Sequence, residues 1–133
     1  MKNFVIFGAT SAIAHAMARR LAAPEIRFCL IGRDAERLKI NQQDLLARGA
    51  AEVFVFERDL TEKNEFPGLI DDIFRSLESV DSVLMAQGCL PDQAECEQNI
   101  NAFNTSFDVN LMGVVNLLML LVPKLRVQGH GHI

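Results

Sequence analysis

The sequence predicts an α/β fold, a doubly wound parallel sheet with helices on both faces. Three observations carry that expectation. Four short apolar runs (residues 3–7, 26–31, 51–56 and 80–86) alternate with four helical patterns. The runs are apolar almost throughout instead of alternating with polar residues, as strands covered on both faces are. The chain between successive runs is long enough for a helical crossover, and right-handed crossovers set the strand order 3-2-1-4. Ligands of such sheets bind beyond the carboxyl ends of the strands where the order reverses, here between strands 1 and 4.

Each element has its own local signals. Residues 3–7 form the first strand, and their apolar run is too short for a signal peptide and lacks a cleavage-site pattern. Gly8-Ala9-Thr10-Ser11 leads into an Ala-rich helix over 12–23, closed by Pro24. Residues 26–31 form the second strand, ended by Gly32. Asp34 caps a helix that runs to Arg48 and stops at Gly49. Residues 51–56 are the third strand. Thr61 and the Glu62/Glu65 pair prepare another helix, with Pro67 in its first turn and Ile70, Ile73, Phe74 and Leu77 at helical spacing. Residues 80–86 form the fourth strand, followed by a polar loop over 87–97. The last helix spans 100–127, so apolar between 109 and 125 that burial over most of its surface is expected. Residues 129–133 look like a turn into a further strand. The fold is thus expected to be truncated before strand 5, with strand 4 at an open edge of the sheet.

Composition narrows the function classes. The 133 residues are 50% hydrophobic and 23% charged, which suits one globular domain over 1–133. A net charge of −4 has the wrong sign for general nucleic-acid binding. Residues 1–66 hold ten Lys/Arg against nine Asp/Glu, while 67–133 hold three against eight, so an anionic ligand is better served by the first half. Cys29, Cys89 and Cys96 form no CxxC pair and are read as reduced thiols. The nearly uncharged run 111–123 is shorter than the roughly 20 residues a bilayer needs. A cytoplasmic protein with no membrane or nucleic-acid partner is the expectation. His130 and His132 form an HxH without further ligands, so a terminal turn is preferred to a metal site. His15 is expected to face solvent. The chain contains no Tyr and no Trp.

The first loop carries the first chemistry. Dinucleotide-binding loops use glycines to turn sharply, to let a pyrophosphate approach the backbone, and to pack helix against strand. Gly8-Ala9-Thr10-Ser11-Ala12-Ile13-Ala14 keeps the first glycine and has Ala12 and Ala14 at the two later small positions. Thr10 and Ser11 add hydroxyls that can bond phosphate. An ordinary strand–turn–helix capped by Ser11 remains the alternative.

Here the chain resembles a known family. Phe7-Gly8-Ala9-Thr10-Ser11-Ala12-Ile13-Ala14 is similar to the TGxxxGxG segment of the short-chain dehydrogenases/reductases. Gly32-Arg33-Asp34-Ala35-Glu36-Arg37-Leu38 resembles their GR(N/D)xExL stretch. Asp59-Leu60-Thr61 resembles their adenine-contacting D-(V/L)-T/S. Phe107-Asp108-Val109-Asn110-Leu111-Met112-Gly113 resembles their FxVNxxG helix. The matches run in family order over the whole chain. Met85-Ala86-Gln87-Gly88 stands where the family has NNAG, and only Gly88 carries over directly. The resemblance implies a Rossmann-like domain whose cofactor contacts include Gly8, Thr10, Ser11, Ala12, Ile13, Asp59, Leu60, Ala86, Gln87 and Gly88. It also implies a catalytic role for Asn110, whose backbone carbonyl would bind a water in the proton relay. The last helix would be the one this family uses for subunit pairing.

Arg33 decides between the nicotinamide cofactors. An acidic residue at the end of strand 2 would bond the ribose hydroxyls of NAD and repel a 2′-phosphate. Gly32 stands there, followed by Arg33, a planar donor suited to bidentate phosphate binding. NADP is therefore expected over NAD, against the alternative of a solvated loop arginine. Asp59 has two readings, an acceptor for the adenine amino group or a turn and helix entry.

Two function classes follow. One is a short-chain oxidoreductase moving hydride between NADP(H) and an alcohol/carbonyl pair, expected as a homo-oligomer. The other is a dinucleotide-binding module without chemistry, for instance a redox sensor. In the family a Ser and a YxxxK supply the proton chemistry, and none lies within these residues. The expectation is the N-terminal portion of a longer enzyme, inactive by itself and prone to self-associate through the open edge.

Overall fold

The computed structural model describes residues 1–133. Its four-stranded sheet has the order β3-β2-β1-β4. The strands are β1 (Lys2–Phe7), β2 (Ile26–Gly32), β3 (Glu52–Glu57) and β4 (Ser82–Met85). Every pairing is parallel, with Phe7 opposite Ile31 on one side and opposite Met85 on the other. The side-chain period of two sends alternate residues to opposite faces. Val5, Phe7, Cys29 and Ile31 face α3 (Phe66–Leu77) and α6 (Gly113–Gln128), meeting Leu69, Ile73, Leu117 and Leu121. Ile6, Phe28 and Leu30 face α1 (Ala12–Leu21) and α2 (Ala35–Ala47), meeting Ala14, Ala18, Leu38 and Leu45. Both faces are covered, which is why these strands read as unbroken apolar runs. Burial pushes the Cys29 thiol far above its ordinary pKa, so it behaves as a small core hydrophobe.

Local signals explain the helix starts. Asp34 accepts from the Arg37 amide at 3.0 Å, and Ser11 from the Ala14 amide at 3.5 Å. Pro67 sits in the first turn of α3, preceded by a short 3-10 turn at Lys63–Glu65.

Four expectations need correction. The loop after β4 contains a helix, α4 (Gln93–Gln98), started by Asp92, which accepts from the Ala94 amide. The last helix is not uniform: α5 (Ile100–Phe107) passes through a π-helical stretch, Asp108–Met112, before α6. Nor is it buried over most of its surface. Gly113, Leu117, Leu121 and Leu125 form one buried stripe, while Phe103, Phe107, Leu111, Met112, Val115 and Met119 are exposed. The apolar composition reflects two faces, of which the sheet covers one. By length and composition Ile100–Gln128 could cross a bilayer, and its buried stripe packs against α3 and the sheet. Finally, His15 does not simply face solvent, because Asp44 of α2 lies 3.0 Å from its Nε2.

The edge beyond β4 is open only in part. The Val83 amide donates to the His132 carbonyl at 2.8 Å, and the His132 amide to the Asp81 carbonyl at 2.9 Å. Gln128 completes the start of the strand, its Oε1 accepting from the Val80 amide and its Nε2 donating to the Val80 carbonyl.

Asp44 also takes Arg48 at 3.0 Å and Arg19 at 3.3 Å, tying α1 to α2. Desolvation pushes this carboxyl upward, but the hydrogen bond and charge of Arg48, then Arg19 and His15, outweigh it and hold its pKa below the ordinary value. A depressed folded pKa contributes stability that is present above the unfolded value, about 3.9, and lost as pH falls through the folded one. The Tm of Asp44→Asn should therefore trail the wild type at pH 6, and the gap should close as pH falls below the ordinary carboxylate range. A gap that stays constant with pH would show that the clasp contributes nothing through charge.

Candidate functional site

The carboxyl ends of the strands open onto a cleft of about 370 Å³, lined by the loops that follow β1, β2, β3 and β4 and by α5 and the π segment. Gly8 forms its floor at φ +74°, a conformation an L side chain rarely adopts. A Cβ there would lie 2.5 Å from the Gln87 nitrogen and 2.7 Å from the Ala86 carbonyl carbon. The β1 and β4 loops touch through this missing side chain. The loop is held from the other side as well: Gly8 and Ala9 amides both donate to the Ile31 carbonyl at 2.9 Å, and Asn41 Nδ2 donates to the Ala9 carbonyl at 3.0 Å. Behind the loop starts α1, whose first-turn amides, Ala12 and Ile13 among them, have no acceptor within the helix. A ten-residue helix with its first turn aimed at a loop of this kind suits an anion.

Arg33 lies across the cleft, exposed and without an ion-pair partner, where β2 ends. The Arg58 amide donates to the Gly32 carbonyl at 2.8 Å, which brings the end of β3 alongside it. Asp59 Oδ1 accepts from the Thr61 amide at 2.9 Å and from the Thr61 hydroxyl at 2.8 Å, leaving Oδ2 free. These two bonds, and then the charge of Arg33, hold its carboxyl below the ordinary range despite an opposing desolvation, so it is an acceptor at neutral pH. The turn reading of Asp59 is what the structure shows: Oδ1 makes the turn, and Oδ2 takes no hydrogen bond.

Asn110 sits in the π segment and clamps the β4 loop by its amide. The Cys89 amide donates to Asn110 Oδ1 at 2.8 Å, and Asn110 Nδ2 donates to the Cys89 carbonyl at 2.8 Å. The side chain thus imitates a neighbouring strand for a loop that has none. A π stretch interrupts the regular helical bonding and is often found at functional sites. Here the Gly113 amide reaches back to the Asp108 carbonyl.

Of the residues singled out by sequence, Gly8, Thr10, Ser11, Arg33, Asp59, Leu60, Ala86, Gln87 and Gly88 come together around the cleft. Ala12 and Ile13 do not line it with side chains; both are exposed, and only their amides point to a role. Asn110 acts on the lining through Cys89. Sequence reasoning missed Arg58 and Thr105, and it gave Thr61 and Val109 no role of their own within the motifs that contain them; all four line the cleft. Arg58 directly precedes Asp59, and Thr61 closes the Asp59-Leu60-Thr61 motif, a signal that could have found both. Thr105 arrives only through the helix path, for which the sequence holds no cue, whereas Val109 stands beside Asn110 in the quoted helix motif. Gln87 Oε1 is buried without a hydrogen-bond partner, the polar mismatch left by an amide where this loop is tightest.

Comparison with known proteins agrees with this geometry. The family model for short chain dehydrogenases matches residues 2–133. An uncharacterized oxidoreductase of Staphylococcus epidermidis is 27% identical over 132 residues, which cover 99% of this chain and 56% of that protein. An uncharacterized oxidoreductase of Listeria monocytogenes is 26% identical over 132 residues, covering 99% and 53%. Among solved structures, an alcohol dehydrogenase from the archaeon Thermococcus sibiricus, complexed with 5-hydroxy-NADP, superposes with a TM-score of 0.85 at 28% identity, over 99% of this chain and 56% of that one. Actinorhodin polyketide ketoreductase with NADPH gives a TM-score of 0.87 at 22% identity, over 98% and 50%, and shares the fold. The chain spans about half the length of the oxidoreductases it matches. A family model matched over almost every residue, a sheet in the same order and the cleft at its carboxyl edge lead to one assignment: the chain belongs to the short chain dehydrogenase family.

Proposed function

We propose that the chain binds NADP(H) in this cleft and is the cofactor-binding part of an oxidoreductase acting on a small alcohol/carbonyl pair. One observation carries the cofactor choice. Arg33 stands unpaired in the cleft where β2 ends, and no carboxylate occupies the Gly32 position to bond the ribose hydroxyls of NAD. The residues fit the group: the α1 amides and Ser11 would take the pyrophosphate, Arg33 the 2′-phosphate, and Asp59 Oδ2 with Leu60 the adenine. When bound, the nicotinamide supplies the hydride chemistry. What the chain itself does is bind, orient and hold the β4 loop in place through Asn110.

NADPH titration of the purified chain tests the reading. Arg33→Ala should weaken NADPH binding by about 2 kcal/mol, the range for charged hydrogen bonds, and leave NADH nearly unchanged. Equal losses for the two cofactors would reassign Arg33 to the solvated surface.

The chain is also proposed to be catalytically silent alone. It contains no tyrosine, so the proton donor used by its family cannot come from within it. The unpaired part of the β4 edge and the exposed apolar face of α5 and α6 favour self-association, as a homo-oligomer. NADPH oxidation with a panel of carbonyl compounds should stay at background, and the mass in solution should exceed that of one chain. Turnover well above background would overturn the first expectation, and a monomer at high concentration the second.

A further inference from the structure

The two walls of the cleft are joined behind it by the π segment, through the Asn110 clamp and through contacts of Asp108 and Gly113 that the cofactor reading does not use. On one side, Lys63 Nζ, two residues beyond the Asp59-Leu60-Thr61 turn, lies 2.7 Å from Asp108 Oδ1 at the start of the π segment. At the other end of the segment a Cβ on Gly113 would lie 3.1 Å from the Leu60 carbonyl oxygen and 3.0 Å from that of Asp108. The helix therefore rests on the β3 loop at both ends of its irregular stretch. Between these two points sits Asn110, whose amide closes on both polar groups of Cys89 in the β4 loop. That clamp is the sole side-chain hydrogen bond the Cys89 amide makes.

We propose that Lys63 is a positioning residue. Its ion pair with Asp108 fixes the pitch of the π segment and so keeps the Asn110 clamp shut on the β4 loop, coupling the adenine end of the cleft to its opposite wall. Three features support this. The π stretch is closed by the bond from the Gly113 amide to the Asp108 carbonyl, so Asp108 and Asn110 share one irregular turn. Lys63 is half-buried against its partner, where the 2.7 Å contact is less screened than a fully exposed pair. The contact is also far apart in sequence, so it reports tertiary placement and not helix propensity. In the absence of the ion pair, Asp108 would be free to enter a regular turn and carry Asn110 away from Cys89. The part of this inference that concerns ligands rests on the dinucleotide reading above; the part that concerns the clamp does not.

Amide hydrogen exchange of Cys89, read by NMR on the whole chain, tests both. Without ligand, Lys63→Met should speed Cys89 exchange about threefold to fivefold, the factor for loss of an ion pair of ordinary strength. Lys63→Arg should restore the wild-type rate, and core amides such as that of Phe28 should not change in either variant. Adenosine 2′,5′-bisphosphate, which reaches only the adenosine end, should slow Cys89 exchange in the wild type. It should do so much less in Lys63→Met, at a binding constant changed by less than about threefold. Unchanged Cys89 exchange in Lys63→Met, or acceleration that spreads equally to Phe28, overturns the positioning role. If the bisphosphate binds but slows Cys89 equally in both proteins, coupling across the cleft is refuted while the dinucleotide reading stands. If neither it nor NADPH binds the wild type, the dinucleotide reading falls and takes the ligand coupling with it, leaving the clamp to be judged on the unliganded rates.

Discussion

Gly8→Ala should destabilise the chain by about 3 kcal/mol and abolish dinucleotide binding. Two costs combine. A left-handed backbone conformation costs a non-glycine residue about 1 kcal/mol or more. The added methyl also meets the backbone of Ala86 and Gln87 at 2.5–2.7 Å, where no rotamer can yield. Overpacking against a rigid wall costs about 1–3 kcal/mol, and the relief available is to move the β4 loop away from β1. That movement would break the Ala86 amide bond to the Phe7 carbonyl, at 2.8 Å, and spread the floor of the cleft. Gly49 supplies the control. It has φ +97°, but a Cβ there would meet nothing within 4 Å, so Gly49→Ala should show the strain alone, about 1 kcal/mol. Urea midpoints at constant m give both values. If the two variants lose the same amount, the close approach of the β1 and β4 loops is not a constraint on the fold.

The same glycine shows what a sequence reader can and cannot see. That a glycine follows the first strand is visible, as is its use in a sharp turn. That the turn is pressed against Gln87 is not, because the two positions are far apart in the chain. The strand order follows from the alternation of elements and the handedness of crossovers, both local properties. Asp34 and Pro67 are legible for the same reason, since a cap is decided within one helical turn. The last helix is not, because composition cannot distinguish a helix buried all round from one with a buried stripe and a bare apolar face. The π stretch at Asp108–Met112 is invisible too, and the residues it meets, Lys63, Leu60 and Cys89, are far from it in the chain. At the site, the motif residues are legible, whereas Asn110 acts through a side-chain clamp on Cys89 that no spacing announces. His15 reads as a surface residue because its partner, Asp44, comes from the next helix.

Asn3→Leu should cost about 3 kcal/mol, although it lies at the end of the sheet away from the cleft. Asn3 is the most buried polar residue of the chain, 2% exposed, inside a strand that otherwise reads as apolar. Its Nδ2 donates to the Leu77 carbonyl at 3.1 Å, the Ser79 carbonyl at 2.9 Å and the Ser79 hydroxyl at 3.2 Å. Its Oδ1 accepts from Arg27 Nε at 2.9 Å, and Arg27 Nη2 continues to the Leu77 carbonyl at 2.9 Å. One amide therefore holds β1, β2 and the end of α3 together, where Glu78 already takes a strained φ of +66°. Leucine keeps the volume but leaves the Ser79 carbonyl and a charged guanidinium edge without partners. An unmet buried group costs about 1–3 kcal/mol each, more when charged, which exceeds the gain from extra apolar surface. The double variant Asn3→Leu/Arg27→Met should recover part of the loss, because both sides of the central bond are then apolar. A recovery of about 1 kcal/mol or more in the mutant cycle would mark the pair as coupled. Strictly additive losses would mean that Asn3 acts through its shape, with the hydrogen bonds replaced by water.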